Sequence, residues 1–276
     1  MEIGITSIQR DRNPYIVEWI AFHLCVGFNR LYIYAHQSND GMSETLHHIA
    51  QHYPVYVKDT DASVSQHDAY TDSIHQHLPE VDWMAYIDGN DFLFPVRHAN
   101  IKDALMLYND KKLSALAVYW TCYGGSGHLK APDGLLLEAY TRHSHPHFHT
   151  NRQIKSIVRG RQNGNVQNIN AHYFSTGDGT CDEKMRPLTL DGLADDELPS
   201  QDVFRINHYI TQGAPYLAHP STKRPLNLSS NTASLEELDN HDQNEHDDGI
   251  RYKFLNQLTL KIEEINARIG VMQPAL

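Results

Sequence analysis

The chain has 276 residues, 40% of them hydrophobic, and a formal net charge of −11. That length suits one large α/β domain or two small ones, and the acidic balance argues against a nucleic-acid binder, which would show a basic face. Cys25, Cys122 and Cys181 are the only cysteines and form no CxxC pair, which points to a reducing compartment and away from thiolate zinc sites.

A first strand is expected over residues 3–8. Pro14 near its start and Gly27 just past its end bound a helix over 15–26. A short, aromatic-rich strand follows over 31–34. Asn39-Asp40-Gly41 makes a turn, and Ser43 caps a helix through Gln51. A strand over 55–58, a helix over 66–78 and a strand over 83–87 complete a β-α-β-α-β-α-β alternation. Such wiring implies a parallel sheet with crossover helices. No G-x-G-x-x-G follows the first strand, so a dinucleotide cofactor is not expected. Residues 95–215 read differently. Strands over 115–120, 153–158 and 203–209 are separated by long loops with weak helix signal, as in an antiparallel, loop-rich half on the edge of the parallel sheet. Loops of that length in a compact domain are usually functional.

The region from 236 to 248 is rich in Asp, Glu, Asn and His and reads as a mobile linker. Beyond it, Phe254, Leu258, Ile262, Ile265 and Ile269 fall on one helical stripe. The polar face of that helix mixes Glu and Lys, which favours docking or dimerisation over lying on a membrane. The first residues carry no basic signal-peptide region, and no apolar run approaches the ~20 residues of a membrane span. A cytoplasmic protein is the expectation.

The most informative segment is WMAYIDGNDFL, residues 83–93. An apolar strand ends in Asp88, Asn90 and Asp91, all hard oxygen donors that suit Mg²⁺ or Mn²⁺. In an open α/β sheet ligands bind at that end of the strands, and a divalent ion there can neutralise a diphosphate leaving group. The same residues are also good turn formers. In HSHPHFH, residues 143–149, alternate histidines share one side and could bind a transition metal. Pro146 interrupts them and no acid lies close, so a mobile loop is expected.

Several segments together resemble one family. RDRNPYIVEWIAFH (10–23) is similar to R-N-E-x-P-Y-I-x-E-W-I-x-Y-H, and it continues into GFNRLYIY (27–34). YIDGNDF (86–92) is similar to F-I-D-x-D-E-F, and WTCYGGSGH (120–128) to W-x-x-F-G-x-S-G-H. KSIVR (155–159) and INHY (206–209) are weaker echoes. Order and spacing make the set far more specific than any one motif. Over roughly residues 1–215 the chain resembles glycosyltransferases of the GT-A fold, family 92 and its family-2-like bacterial relatives. It departs from them at four positions. Asn90 replaces the second Asp of the acidic motif and Asp91 the following Glu, Arg12 replaces the Glu of R-N-E, and Ala35 replaces an Asp after the second strand.

The resemblance implies an inverting transfer of a sugar, galactose being one known donor sugar, from a nucleotide sugar such as a UDP-sugar, with Mn²⁺ or Mg²⁺ as cofactor. It implies a domain over 1–225, with a nucleotide-binding half to residue 95 and an acceptor half beyond, and a tail over 226–276. Donor contacts are expected from Ser7, Arg10, Gln66, Asp88, Gly89, Lys155 and Arg159. Metal contacts are expected from Asp88, Asn90 and Asp91, with His208 or His172. The glycine-rich loop and its approach, Trp120, Tyr123, Gly124 and Gly125, would meet the acceptor. An inverting transfer needs one base. Glu138 is the first candidate, His128 its rival, and Asp178 and Asp182 stand behind them. The expected acceptor is a glycan or glycolipid in surface polysaccharide or lipopolysaccharide synthesis. A peripheral position at the inner membrane and a homodimer through the last helix stay open. Two other readings compete: a nucleotide-sugar binding protein without transfer activity, and a metal-dependent phosphohydrolase, which would want more carboxylates.

Overall fold

Strands rich in Ile, Val and Tyr make up the parallel run, the inner three covered on both faces and the edge strand on one. They are β1 (Ile3–Gln9), β2 (Arg30–His36), β3 (Val55–Thr60) and β4 (Trp83–Tyr86), in the order β3-β2-β1-β4. The computed structural model describes residues 1–128, 131–161, 165–189, 197–209, 242–247 and 249–270. The crossovers are α1 (Asn13–Val26), α2 (Met42–Ala50) and α3 (Gln66–Gln76). Alternation along the strands decides which helix covers which face. Ile5 and Ile33 join the core under α1 and α2, whereas Tyr32, Tyr34 and Tyr86 join the smaller core under α3.

α1 is buried around most of its circumference, through Ile16, Trp19, Ile20, Phe22 and Val26. The sheet covers one side, and the last helix of the chain covers another. That helix, numbered α6 below, spans Leu255–Ile269 and buries Leu258, Ile262 and Ile265 in the main core. Phe254 joins them, its ring 5.2 Å from both Phe22 and Phe94. The apolar stripe read from the sequence therefore docks on the domain. No helix among the described residues is long and apolar enough to cross a membrane.

Beyond β4 come β5 (Asp91–Pro95), α4 (Ile101–Met106), β6 (Ala115–Tyr123), α5 (Leu136–Ala139), β7 (Arg142–His143) and β8 (Ile154–Arg159). Five short strands follow: β9 (Gln167–Asn168), β10 (Phe174–Ser175), β11 (Thr180–Asp182), β12 (Pro187–Leu188) and, longer than these, β13 (Phe204–Tyr209). β14 (His246–Asp247) precedes α6. β8 lies between β4 and β6 and is antiparallel to both, so β6 points the same way as β4. β11 and β13 are parallel to β6, and β5 is antiparallel to β13. The half expected to be antiparallel is thus mixed.

β5 and α4 are absent from the elements read in the sequence. The run DFLFP is too short and too close to β4 to stand apart by periodicity; its pairing with β13, more than a hundred residues on, makes it a strand. Part of the expected linker is seated: β14 pairs with β7, placing His246 opposite His143. The expected boundary near residue 225 lies outside the described residues.

Candidate active site

The topology gathers one end of the sheet. β1, β4, β6 and β13 all point the same way, so Ser7 and Gln9, Asp88, Trp120 and His208 arrive near their carboxyl ends. Because β8 runs the other way, its first residues come to that end, and Lys155 meets Asp88.

Asp88 is 3% exposed and Lys155 1% exposed. The Lys155 ammonium and the Gln66 amide each donate to Asp88 Oδ1 at 2.8 Å. A second donation from Lys155 reaches the Ala171 carbonyl, and its Nζ lies 5.7 Å from the centre of the Trp120 ring. A buried ion pair of this kind needs every polar atom satisfied, yet Asp88 Oδ2 has no partner among the described residues. Gln66 is placed by the start of α3, where Ser65 and Asp68 form a reciprocal capping box. Tyr70, one turn on, donates to the Ile87 carbonyl and so fixes the strand end beside Asp88.

Asp91 is fully buried, and both of its oxygens are taken. The Asp88 backbone N–H donates to Oδ2 at 3.0 Å, and His208 Nδ1 donates to Oδ1 at 2.6 Å. Asp91 therefore orients His208 rather than presenting an oxygen outward. A carboxylate only accepts, so Nδ1 carries a proton, and in the neutral ring Nε2 would hold the lone pair. That Nε2 is buried and has no partner among the described residues. The ring stacks on Trp120 at 3.7 Å and 6°. His172 meets the other flank of Trp120 edge-on at 5.5 Å, and its Nδ1 donates to the Ile154 carbonyl. Burial, with help from the Lys155 ammonium, pushes His172 down to about 4, so it is neutral at pH 7.

Asn90 is 9% exposed; its amide donates to the Tyr209 carbonyl, and its own carbonyl accepts from the Tyr209 N–H. Gly89 is there because a Cβ would come within 2.8 Å of the Gln9 side chain, and its carbonyl accepts from Arg12 Nη2. The Gln9 amide and the Ser7 hydroxyl are buried without partners among the described residues. Arg10 sits just past β1, half-exposed and paired with Asp11.

Residues not singled out in the sequence complete this end. Trp19 Nε1 donates to the Asp91 carbonyl, and His23 Nε2 accepts from the Leu93 N–H. Burial pushes His23 down to about 3, which keeps it neutral as an acceptor. The spacing of Trp19 and His23, four apart on one face of α1, is the signal that marks them.

Arg159 is a correction. It was expected at the donor, but antiparallel β8 carries it to the opposite end, across from Trp83. There it donates to the carbonyls of Tyr108, Asn109 and Lys111. Asp178 and Asp182 are corrected for similar reasons. Asp182 is fully buried against Arg186, and Asp178 lies by Ser114 at the amino end of β6.

The side expected to meet the acceptor is built differently. Tyr123 and Gly124 follow Trp120 out of β6. A Cβ on Gly124 would come within 2.4 Å of the Gln243 carbonyl, so only glycine lets the 242–244 segment lie across the loop. Asp242 accepts from the Gly125 N–H, and Asn244 from the Ser126 N–H at 2.8 Å. His128 donates through Nε2 to the Ala139 carbonyl. Glu138 lies on α5 with an exposed side chain. Under it, the buried Glu18 of α1 accepts from the N–H groups of Leu136 and Leu137 at 2.7 and 2.9 Å. Burial pushes Glu18 up to about 7. The His143, His145, His147 and His246 rings crowd together beside the strap. Among the described residues, no group of three or more His, Cys, Asp or Glu side chains has metal-holding geometry.

The family model for glycosyltransferase family 92 matches residues 7–191, which includes Asp88, Asp91, Trp120 and Lys155. A family 92 protein of Oryza sativa subsp. japonica is 27% identical over 209 residues, covering 74% of this chain and 32% of that protein. A family 92 protein of Arabidopsis thaliana is 23% identical over 195 residues, covering 64% and 32%. The chain thus spans about a third of the length of these curated relatives. Two solved structures are more distant. S. aureus TarS 1-349 in complex with UDP has a TM-score of 0.41 and 13% identity, covering 58% of this chain and 47% of that one. HddC from Yersinia pseudotuberculosis has a TM-score of 0.32 and 10% identity, covering 82% and 84%. With the family model matching about two thirds of its residues, the chain belongs to glycosyltransferase family 92.

Proposed function

We propose that the chain transfers a sugar from a nucleotide-diphosphate donor to a glycan hydroxyl, at the sheet end that holds Asp88 and His208. The observation that carries this reading is a pair of buried, unpartnered atoms, Asp88 Oδ2 and His208 Nε2, in one hydrogen-bonded cluster. An imidazole whose Nδ1–H is fixed by a carboxylate is the usual arrangement of a metal-ligating histidine. The donor set therefore fits Mn²⁺ or Mg²⁺ held by Asp88 and His208, with the Asn90 amide oxygen as a weaker third ligand. Asp91 serves as the residue that orients His208. A bound divalent ion would supply charge neutralisation to the diphosphate leaving group.

The chain's own side chains do the rest. Lys155 holds Asp88 in place and adds a fixed positive charge beside the diphosphate. Gln9 and Ser7 offer buried hydrogen-bonding groups to the nucleotide. Trp120 walls the site and excludes water around His208. In an inverting transfer the acceptor oxygen attacks the anomeric carbon as a base removes its proton. Glu138 is the proposed base, the one exposed carboxylate on α5 above the glycine loop. His128 is the weaker candidate, since its Nε2–H is committed to Ala139 and only Nδ1 could take a proton. A UDP-sugar donor and an acceptor in surface polysaccharide or lipopolysaccharide synthesis complete the proposal.

The test is release of nucleoside diphosphate from a panel of nucleotide sugars, with and without glycan acceptors. Release that depends on acceptor and falls with EDTA supports transfer. Release without acceptor would make the protein a hydrolase, and binding with no release would make it a binding protein.

A further inference from the structure

A second feature lies well away from Asp88. On the face covered by α3, the helix stops short of the edge strand β3 and leaves an open groove of about 420 Å³. Its floor is a stack of three rings. Tyr32 lies parallel to His77 at 4.1 Å and to Tyr56 at 5.0 Å. Tyr56 is 47% exposed, an aromatic ring offered to solvent on an edge strand. Natural edge strands usually carry charge or proline rather than open aromatic surface. Polar groups ring the floor. Lys58 donates to Asp72 Oδ2 at 2.7 Å, and so does the Tyr34 hydroxyl. Gln76 borders the groove as well. His77 Nδ1 is buried with no partner among the described residues.

We propose that this groove is a second, non-catalytic binding site for a neutral oligosaccharide, with Tyr56 as its stacking platform. The C–H bonds of a pyranose face carry partial positive charge and meet the negative face of an aromatic ring. Sugar hydroxyls both donate and accept, and the rim supplies both kinds of partner: Asp72 Oδ1, the Gln76 amide, the Lys58 ammonium and the His77 imidazole. Charge selects the class. Lys58 is already paired with Asp72, so the groove has no surplus cation for phosphate, sulfate or carboxylate groups. The chain's net charge of −11 repels polyanions further. Burial holds the His77 imidazole below its ordinary value, hence neutral.

The groove also lies along the helix that reaches Asp88. Gln66, which touches Asp88, and Gln76 are ten residues apart on α3, about 15 Å along the helix axis. A polymer held in the groove keeps its free end at high local concentration near the reaction site. This inference concerns binding alone and stands whether or not the proposed transfer is correct.

The experiment is a glycan array of neutral, sialylated and sulfated oligosaccharides, probed with wild type, Tyr56→Ala and Asp88→Asn, all without nucleotide. Tyr56 is half-exposed, so its truncation leaves the fold intact, and a thermal melt checks this. The proposal expects neutral glycans to be retained by wild type and by Asp88→Asn, with retention falling about tenfold or more in Tyr56→Ala. Three outcomes would overturn it: no neutral glycan retained, retention confined to anionic glycans, or retention indifferent to Tyr56→Ala. A Tyr56→Ala change that instead turns a dimer into a monomer on sizing would also overturn it, making the occupant a second copy of the chain.

Discussion

The two sides of the candidate site are held by different physics. Around Asp88 the groups are inside the core: Asp88, Lys155, Asp91 and His208 are each 3% exposed or less, and each is fixed by a partner from a different strand. Around the glycine loop the contacts are peripheral. The strap residues Asp242 and Asn244 meet the loop through its backbone N–H groups, and Glu138 stands in solvent. Charges in a low-dielectric core interact strongly and lose little entropy on binding. Surface contacts are individually weak and open readily. The proposed donor side is thus held by buried partners, whereas the proposed acceptor side is held by surface contacts.

If that contrast holds, substitutions should scale with burial. Asp88→Asn keeps the shape and removes the charge that Lys155, Gln66 and any cation share. Turnover should fall by about 10³-fold, and the melting temperature should fall as well, because the buried Lys155 ammonium loses its counter-ion. Wild-type turnover in this variant would remove Asp88 from the reaction. Asp91→Asn leaves either the His208 Nδ1–H or the Asp88 N–H facing an amide N–H, so activity or metal affinity should fall by about 10- to 100-fold. A metal titration of activity would show the shift, and an unchanged profile would leave Asp91 a structural residue only.

How far the sequence reveals this contrast follows from the range of each interaction. The parallel run, its helices and the apolar stripe of α6 were legible because periodicity is a local signal, although the stripe left docking and dimerisation open; Asp88, Lys155, Trp120 and His208 were named through the resemblance, which rests on motif order. The role of Asp91 was not. It depends on register between β5 and β13, which places Asp91 opposite His208, and no local pattern encodes that pairing. Arg159 failed for the same reason: an antiparallel strand was expected there, but no local pattern shows that it pairs with β4, which sets Arg159 across from Trp83 at the far end. The strap was hidden by composition, since an acidic, polar segment reads as linker even where it is seated against Gly124.

Glu18 offers a way to sharpen the comparison, because it is a buried polar anchor beneath the proposed acceptor side. Glu18→Gln keeps one acceptor and leaves a backbone N–H facing an amide donor. The expected loss is about 1–3 kcal/mol, seen as a lower melting temperature and faster proteolysis near residues 124–140. Its pH signature is distinct. Folding raises Glu18 from 4.5 to about 7, so its contribution is fullest below pH 4.5 and is lost as pH rises to 7. Folding lowers His23 from 6.5 to about 3, so its contribution is present above 6.5 and lost as pH falls toward 3. The stability difference between wild type and Glu18→Gln should therefore shrink from pH 4.5 to 7. A difference that stays flat over that window would mean that Glu18 titrates normally.

The proposed base is the exception to that scaling, because its effect is chemical rather than structural. Glu138→Gln should lower kcat by about 10²-fold or more with donor affinity unchanged if Glu138 is the base. Full activity in that variant together with collapse in His128→Ala would move the role to His128. Asp242→Ala removes only a strap contact, and should raise the acceptor KM by about two- to fivefold without touching kcat.

The central claim is that the buried cluster at the end of β4 holds a nucleoside diphosphate together with a divalent ion. Calorimetric titration of UDP and the other nucleoside diphosphates into wild type and Asp88→Asn, each with Mn²⁺ and with EDTA, tests it most directly. The account predicts that one nucleotide binds wild type in Mn²⁺, more weakly in EDTA, and that Asp88→Asn loses the Mn²⁺-dependent part. Equal nucleotide affinity in both proteins and in both buffers would contradict it.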